Sequence, residues 1–547
     1  MTTTVFTSGT VIESPWLNDV NTTVYTTVPS ITGTTGAANV GYTPAGTSAV
    51  ATTVQAKLRQ YVSVKDFGAV GDGTTDDTAA IQAAVTASAG KKIYMPKGTY
   101  KVTSQIICPS GTWLYGDGAG ETIISAVDNV SPLLFQDASV VEYTGAGISN
   151  LTVKGNGAAV RLVTVNEVWG FTAEHCRVYG SPGVLRCFEI QRYSFECQIT
   201  SCRITDADES CIYLNEISGE LPNGCWIQNC DFSPNASGYC VYDEAQTTRI
   251  IGNWFEFATL LGGTGVYSTG SPIIIGNNLS GGYNGTAAVN LVGTNNAIIS
   301  NNKINVYGIA MQGVVVNGCT NTNITDNSWN VDAAQYCVIL NNGCTNTNIS
   351  SNNMRGVVGG AYGLTAIVLV GSGTQSTIVS DNIYSYSSTA TGIGVQINNG
   401  ATLVDISNNQ FTNLVTAISC LTNASNPRVN IIDNWFVSCT TGVTYVNTLD
   451  VYLYNNQGFK TENRGYPATI PSGSNRVTVA HGLAVTPPTS GIRLILVDAL
   501  GTGAGATTNN VQGPFVVSVN ATNIVIGCGA DPGASGMSFG WEVTFSI

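Results

Sequence analysis

Between residues of about 148 and 460 the chain repeats itself at intervals of 23 to 30 residues, which excludes most folds at once. Aligning Ile199–Ile204, Ile299–Ile304 and Ile431–Phe436 exposes an anchor position. It is occupied in turn by Cys176, Cys202, Cys230, Asn253, Asn277, Asn302, Asn327, Asn352, Asn382, Asn409 and Asn434. Two residues after each anchor stands an apolar side chain, from Val178 and Ile204 to Phe411 and Phe436. A second strand keeps the same register: a small residue (Cys187, Cys211, Cys240, Gly265 and their equivalents) precedes an apolar one (Phe188, Ile212, Val241, Val266). Fixed periods of this size mean solenoids or propellers. A propeller blade needs more residues, and the Leu pattern of leucine-rich repeats is absent. Short strands between Gly and Asn turns leave an all-β chain, a parallel β-helix whose coils stack about 4.8 Å apart. Equivalent side chains then form ladders, and the anchor Asn residues are expected to hydrogen-bond along the turn as a buried structural row.

The flanks lose the period. Residues 1–60 are rich in Thr and Ala, with one short helix expected over Ala49–Arg59 because Val50, Val54 and Leu58 share a face. A helix so short needs partners, and self-association supplies them. Residues Val62–Tyr100 read as strand, glycine turn (Gly68–Gly73), helix (Thr78–Ala87, capped by Thr75 or Asp76) and strand. The turn lacks the P-loop lysine and the calcium-loop ligand order, so it is read as structural. From about 465 to 547, alternating runs at Arg476–Val479, Arg493–Val497 and Phe515–Val519 indicate antiparallel strands and a small β-sandwich. The expected division is therefore 1–60, 61–464 and 465–547.

Charge narrows the partners. Net charge is −13, which argues against nucleic acid and against anionic membranes. No signal peptide and no apolar run long enough to span a bilayer is visible, so the fifteen cysteines are read as reduced core residues made in a cytoplasm. Metal-site spacing is absent and no cofactor is expected.

The acids are unevenly spread, twelve between 170 and 270 against six between 271 and 460, so carboxylate chemistry belongs to the early coils. Strand alternation turns Glu189, Tyr213, Tyr242 and Tyr267 outward on successive coils, a tyrosine ladder opened by a carboxylate. Tyrosine faces stack on sugar rings while their hydroxyls bond sugar hydroxyls. Beyond them come Arg192, Glu216, Asp243 and Glu244, read as lying on the outer edge, with Asp208 and Glu209 on a loop leading to the same strand. Glycoside hydrolysis needs two carboxyl groups, roughly 5 to 9.5 Å apart according to mechanism, which neighbouring coils supply. The catalytic group is therefore placed on Glu216, Asp243 and Glu244. Glu189, Arg192, Asp208, Glu209, Tyr213, Tyr242 and Tyr267 are placed in substrate binding. Arg177, Arg186, Arg192, Arg203 and Arg249 share these coils, and surface ion pairs with the acids are the competing reading.

The run Tyr61–Ala84 resembles the opening segment of pectate-lyase-like right-handed β-helices in phage tailspikes, and Gly9–Val20 resembles tailspike virion-attachment regions. The resemblance implies a homotrimer carried on the phage tail or baseplate by its N-terminal region. Its β-helix would bind bacterial capsule or O-antigen polysaccharide. Many members are endoglycosidases and some are lyases; hydrolysis is the favoured expectation, with a uronate lyase or a non-enzymatic receptor-binding spike as alternatives.

Overall fold

A computed structural model describes residues 34, 36–88, 90–136, 145–234, 238–257, 263–281, 286–307, 311–332, 336–357, 366–386, 392–398, 400–421, 428–445, 450–458, 462–470, 474, 476–480, 483, 492–496, 514–520, 522–528 and 537–544. Strands 62–454 wind into a right-handed parallel β-helix. One face is a 16-stranded parallel sheet running from Val62–Ser63 to Asp450–Tyr454. A second parallel sheet bends over the other two faces; on the early coils single strands such as Thr152–Asn166, Arg177–Ile190 and Arg203–Leu214 cross both. Asp208 and Glu209 thus lie inside a continuous strand and not on a loop, because the corner between the faces is taken without breaking the ladder.

The anchor row is the spine of the fold. From Asn277 onward each anchor Oδ1 accepts both the backbone N–H and the side-chain N–H of the anchor one coil before, at 2.9–3.0 Å, while Asn253 Oδ1 takes the Cys230 backbone N–H at 2.9 Å. Each Nδ2 also donates to a backbone carbonyl, as from Asn327 to Ile299 at 2.9 Å. The row runs one coil past the repeat read from sequence, to Asn456, whose Oδ1 takes both donors of Asn434. The residue before every anchor has positive φ: His175, Ser201, Asn229, Gly252, Gly276, Asn301, Asp326, Ser351, Asp381, Asn408, Asp433 and Asn455. Gly, Asn, Asp and Ser dominate this column because they tolerate the left-handed corner that turns the chain onto the next face. It also explains why Asp326, Asp381 and Asp433 precede anchors. The apolar positions after the anchors stack inside, with Phe232–Phe255 ring centroids at 4.9 Å and Tyr384–Phe411 at 4.7 Å.

A second left-handed column holds Asn296, Asn321, Asn346, Ser376 and Leu403 on successive coils. Leu403 is half exposed and is the one bulky member, at φ 55°. Left-handed backbone costs an ordinary residue on the order of 1–2 kcal/mol, less for Asn. Leu403→Asn is therefore expected to stabilise the β-helix by about 1 kcal/mol, read as a higher urea midpoint; an unchanged or lower midpoint would show that the strain is compensated elsewhere.

The glycine turn is held from within. Buried Asp77 accepts the backbone N–H groups of Val70 and Gly71 at 2.5 and 3.0 Å. Asp76 caps the helix Thr78–Ser88 through the Thr78 N–H at 3.0 Å, and Ile81 and Val85 are buried as the pattern requires. The N-terminal helix is shorter than its periodicity suggested, Val54–Leu58 instead of 49–59. Thr52 and Thr53 pair with Gly41–Tyr42 as a small antiparallel ribbon, and the Thr53 hydroxyl caps the helix from Ala56 N–H at 3.1 Å. Val50 therefore falls outside the helix and is exposed. The segment Gly9–Val20 lies outside the described residues.

All fifteen cysteines are free thiols, fourteen of them buried. At the C-terminal end, Glu462–Ile470, Ile492–Leu496 and Met537–Thr544 form one antiparallel sheet, while Arg476–Ala480, Phe515–Val519 and Asn523–Gly527 form another. Ile470, Phe539, Trp541 and Val543 of the first share a core with Ile524 and Ile526 of the second.

Candidate active site

Parallel, in-register stacking places Thr164, Glu189, Tyr213, Tyr242, Tyr267 and Asn290 in one row on the third face. The tyrosine ladder is a physical object: Tyr213–Tyr242 centroids lie 4.7 Å apart and Tyr242–Tyr267 4.6 Å apart. Tyr239, missed in the sequence, joins it at 4.9 Å from Tyr242 and 5.7 Å from Tyr267. Cys240 and Val241 are both buried, so alternation breaks in that strand and Tyr239 swings out with Tyr242. All four rings are partly exposed.

Glu189 opens the ladder in register but is not available to a ligand. It is buried, ion-paired to Arg161 and to Arg186 (2.7 Å), and accepts Asn215 Nδ2–H at 2.6 Å. Arg186 also grips Glu209 with two bonds, 3.1 and 2.9 Å, and its guanidinium lies 4.0 Å from the Tyr213 ring centroid. Arg161 and Arg186 are register partners on adjacent coils, so the cluster is built by stacking. Glu189 and Glu209 thus anchor the ladder rather than a substrate. Arg192 pairs with Glu167 at 3.3 Å, and Asp208 is exposed on the same strand as Glu209.

Glu244 is different. It is half-buried, and one oxygen, Oε2, accepts both the Tyr213 hydroxyl at 3.0 Å and the Glu216 backbone N–H at 2.9 Å. Two coils are thereby tied at one carboxylate, beside the ladder. Burial and the neighbouring Glu244 push the Tyr213 phenol well above its usual range, so it stays a donor. Glu216 is exposed, one corner away.

Asp243 does not lie on the outer edge as the sequence reading placed it. Tyr242 points out, so Asp243 points in, between Leu214 and Ser268 of adjacent coils, and is fully buried. Its oxygens accept Ala245 N–H (3.1 Å), Thr248 Oγ1–H (2.8 Å) and Ser268 Oγ–H (2.8 Å). It therefore staples the corner that presents Glu244 and does not face a ligand. Burial raises its carboxyl to about 6 despite these three donors. A folded value above the unfolded one favours the protonated form in the native state. The stability contribution is full below about pH 4 and is lost as pH rises through about 6, by on the order of 3 kcal/mol. Asp243→Asn keeps one oxygen to accept from Ala245 and Thr248, turns an N–H toward the Ser268 hydroxyl, which can accept it, and removes the titration. The wild-type minus variant stability difference should thus fall across pH 4–6; a flat difference would place the ionised group at ease in the core.

Among the described residues no group of three His, Cys, Asp or Glu side chains is arranged to hold a metal ion.

Residues 61–242 match the family model described as Rhamnogalacturonase A/epimerase, pectate lyase-like. Alginate lyase 7 of Azotobacter vinelandii is 34% identical over 167 residues, 27% of this chain and 19% of that protein. The preneck appendage protein of Bacillus phage PZA is 28% identical over 183 residues, 32% of this chain and 20% of that protein. The chain thus spans about a fifth of the length of these relatives. A tailspike protein of E. coli bacteriophage HK620, solved with a hexasaccharide, superposes with a TM-score of 0.57 at 15% identity, over 95% of this chain and 99% of that one. The shared fold is the pectate-lyase-like β-helix of phage tailspikes.

Proposed function

We propose that this protein is a phage tailspike that seats a bacterial capsule or O-antigen polysaccharide on the tyrosine ladder and cuts it by endo-glycosidic hydrolysis. The observation that carries this is a ladder of four mutually packed tyrosine rings whose first member, Tyr213, donates its hydroxyl to Glu244, with Glu216 at the adjoining corner. Rings of this kind stack on pyranose faces and their hydroxyls bond sugar hydroxyls. Glu244, steadied by the Tyr213 hydroxyl and the Glu216 N–H, serves as base or nucleophile. Glu216, exposed and free to reach a leaving oxygen, serves as the acid. Such pairs divide the work of a two-carboxyl glycosidase. The phage appendage relative and the tailspike fold support a place on the virion tail, and we propose attachment through residues 1–60.

The alginate lyase relative favours a second reading, elimination beside a uronate. Mass spectrometry of polysaccharide digests decides between them: products heavier by one water per cut mean hydrolysis, unsaturated ends mean elimination, and an unshortened polymer means a binding spike. The spike is expected to be a homotrimer, the state that would cover the exposed side of the short N-terminal helix. Sedimentation of the full chain at micromolar concentration should give three copies, and a monomer would refute this.

A further inference from the structure

The charges around the ladder carry a conclusion about what it can bind, resting on the reading of the ladder as a glycan groove. Three guanidiniums lie on the strands that open it or just beyond their ends, and each is already paired: Arg161 and Arg186 with Glu189, Arg186 again with Glu209, and Arg192 with Glu167. Against these three cations stand six carboxylates, because Glu216, Glu220 and Glu244 have no cationic partner among the described residues. Glu244 is occupied by the Tyr213 hydroxyl and a backbone N–H, and Glu220 accepts from the Tyr193 hydroxyl. The surplus is therefore negative, with Glu244 bonded to the ladder's Tyr213 and Glu216 tied to Glu244 through its backbone N–H.

Further along the same face the charge vanishes. The strands that continue this face, from Thr264–Ser268 through Ala287–Val292, Gln312–Asn317, Val338–Asn341, Ala366–Val370, Ile393–Ile397 and Thr416–Cys420 to Thr441–Tyr445, contain no charged residue. Their row beyond Tyr267 runs Asn290, Val315, Ile339, Leu369, Gln396 and Ser419, uncharged throughout, with Ile339, Leu369 and Ser419 buried. A polymer lying along this face meets hydrogen-bonding and stacking groups and no cation that is not already neutralised.

We infer that the groove takes a polysaccharide built from uncharged sugars, hexoses, deoxyhexoses or N-acetylated amino sugars, and excludes polyuronates. A uronate seated on the tyrosines would bring its carboxylate against Glu244 and Glu216 with no free cation to offset it, and like charges in a partly desolvated groove repel strongly. Elimination chemistry has the same requirement, since removing the proton beside a uronate needs its carboxylate neutralised. The likeness to an alginate lyase thus transmits the fold of the early coils and not the charge pattern a polyuronate requires.

The test uses the full chain on an array of purified bacterial capsular and O-antigen polysaccharides of known repeat, with alginate and polygalacturonate as uronate probes, at low and high salt. Retained glycans should lack uronic and sialic acids, and their retention should change by less than about twofold with salt, since screening acts on charge pairs. Alginate and polygalacturonate should not be retained even at low salt. Salt-sensitive retention of either, or of a sialylated capsule, would overturn the inference while leaving the glycan-binding reading intact. Retention of no glycan at all would remove that reading, and the inference with it.

Discussion

Glu244→Gln is expected to lower polysaccharide turnover roughly 10²- to 10⁴-fold, the usual contribution of one acid or base group, while the glycan is still bound. The amide oxygen can still accept from the Tyr213 hydroxyl and the Glu216 N–H, so the corner keeps its shape and only charge and proton transfer are lost. Glu216→Gln should lose turnover in the same range, because it removes the other half of the pair. Asp243→Asn provides the contrast. Its carboxyl is buried and bonded to Ala245, Thr248 and Ser268, so replacement should leave cleavage near normal at neutral pH. Reducing ends released at saturating polysaccharide, beside retention of the same polymer, measure all three. Near-normal turnover by both glutamine variants would move the chemistry elsewhere, and a dead Asp243→Asn with intact binding would give the buried carboxyl a larger part than a staple.

The second large effect concerns the spine. Asn327→Leu keeps the branched shape, with bulkier methyl groups in place of oxygen and nitrogen, but strips five hydrogen bonds at one rung. Asn327 Oδ1 takes the N–H and Nδ2–H of Asn302, and its Nδ2 serves Ile299 O, Thr325 O and Asn352 Oδ1, all at 2.9–3.0 Å. Each buried group left without a partner costs about 1–3 kcal/mol, so a loss of about 3–5 kcal/mol is expected at the rung as a whole. Asn323→Leu, on an exposed strand position of the same coil, should stay within about 0.5 kcal/mol. Urea unfolding of the two variants beside the wild type reads the difference. A loss below about 1 kcal/mol for Asn327→Leu would mean that the buried amide row contributes specificity of register and little stability.

Much of this molecule was legible before any coordinates. The anchors from Cys176 to Asn434, the apolar residues behind them and the stacking of Tyr213, Tyr242 and Tyr267 all follow from one fact. In a parallel, in-register coil, residues one period apart must lie above one another. Periodicity is therefore a statement about the axis, and along the axis it was sufficient. Alternation within a strand carried Glu244's neighbourhood as well, since Tyr213 and Tyr242 point outward as expected.

What periodicity does not contain is the direction of a side chain across the coil at a corner. Asp243 turned inward, and its carboxyl became a core staple. Tyr239 turned outward because two consecutive residues, Cys240 and Val241, are both buried where the strand bends. Glu189 keeps its place in the row yet is closed off, because Arg161, Arg186 and Asn215 come to it from three successive coils. The N-terminal helix begins at Val54 because Thr52 and Thr53 pair with Gly41–Tyr42 first. For Asp243, Glu189 and the helix, the contacts with Ser268, with Arg161 and Asn215, and between Tyr42 and Thr52 join residues 10 to 28 positions apart around a bend. The repeat determines which residues share a ladder, whereas the path of the backbone around each corner determines which of them face the groove.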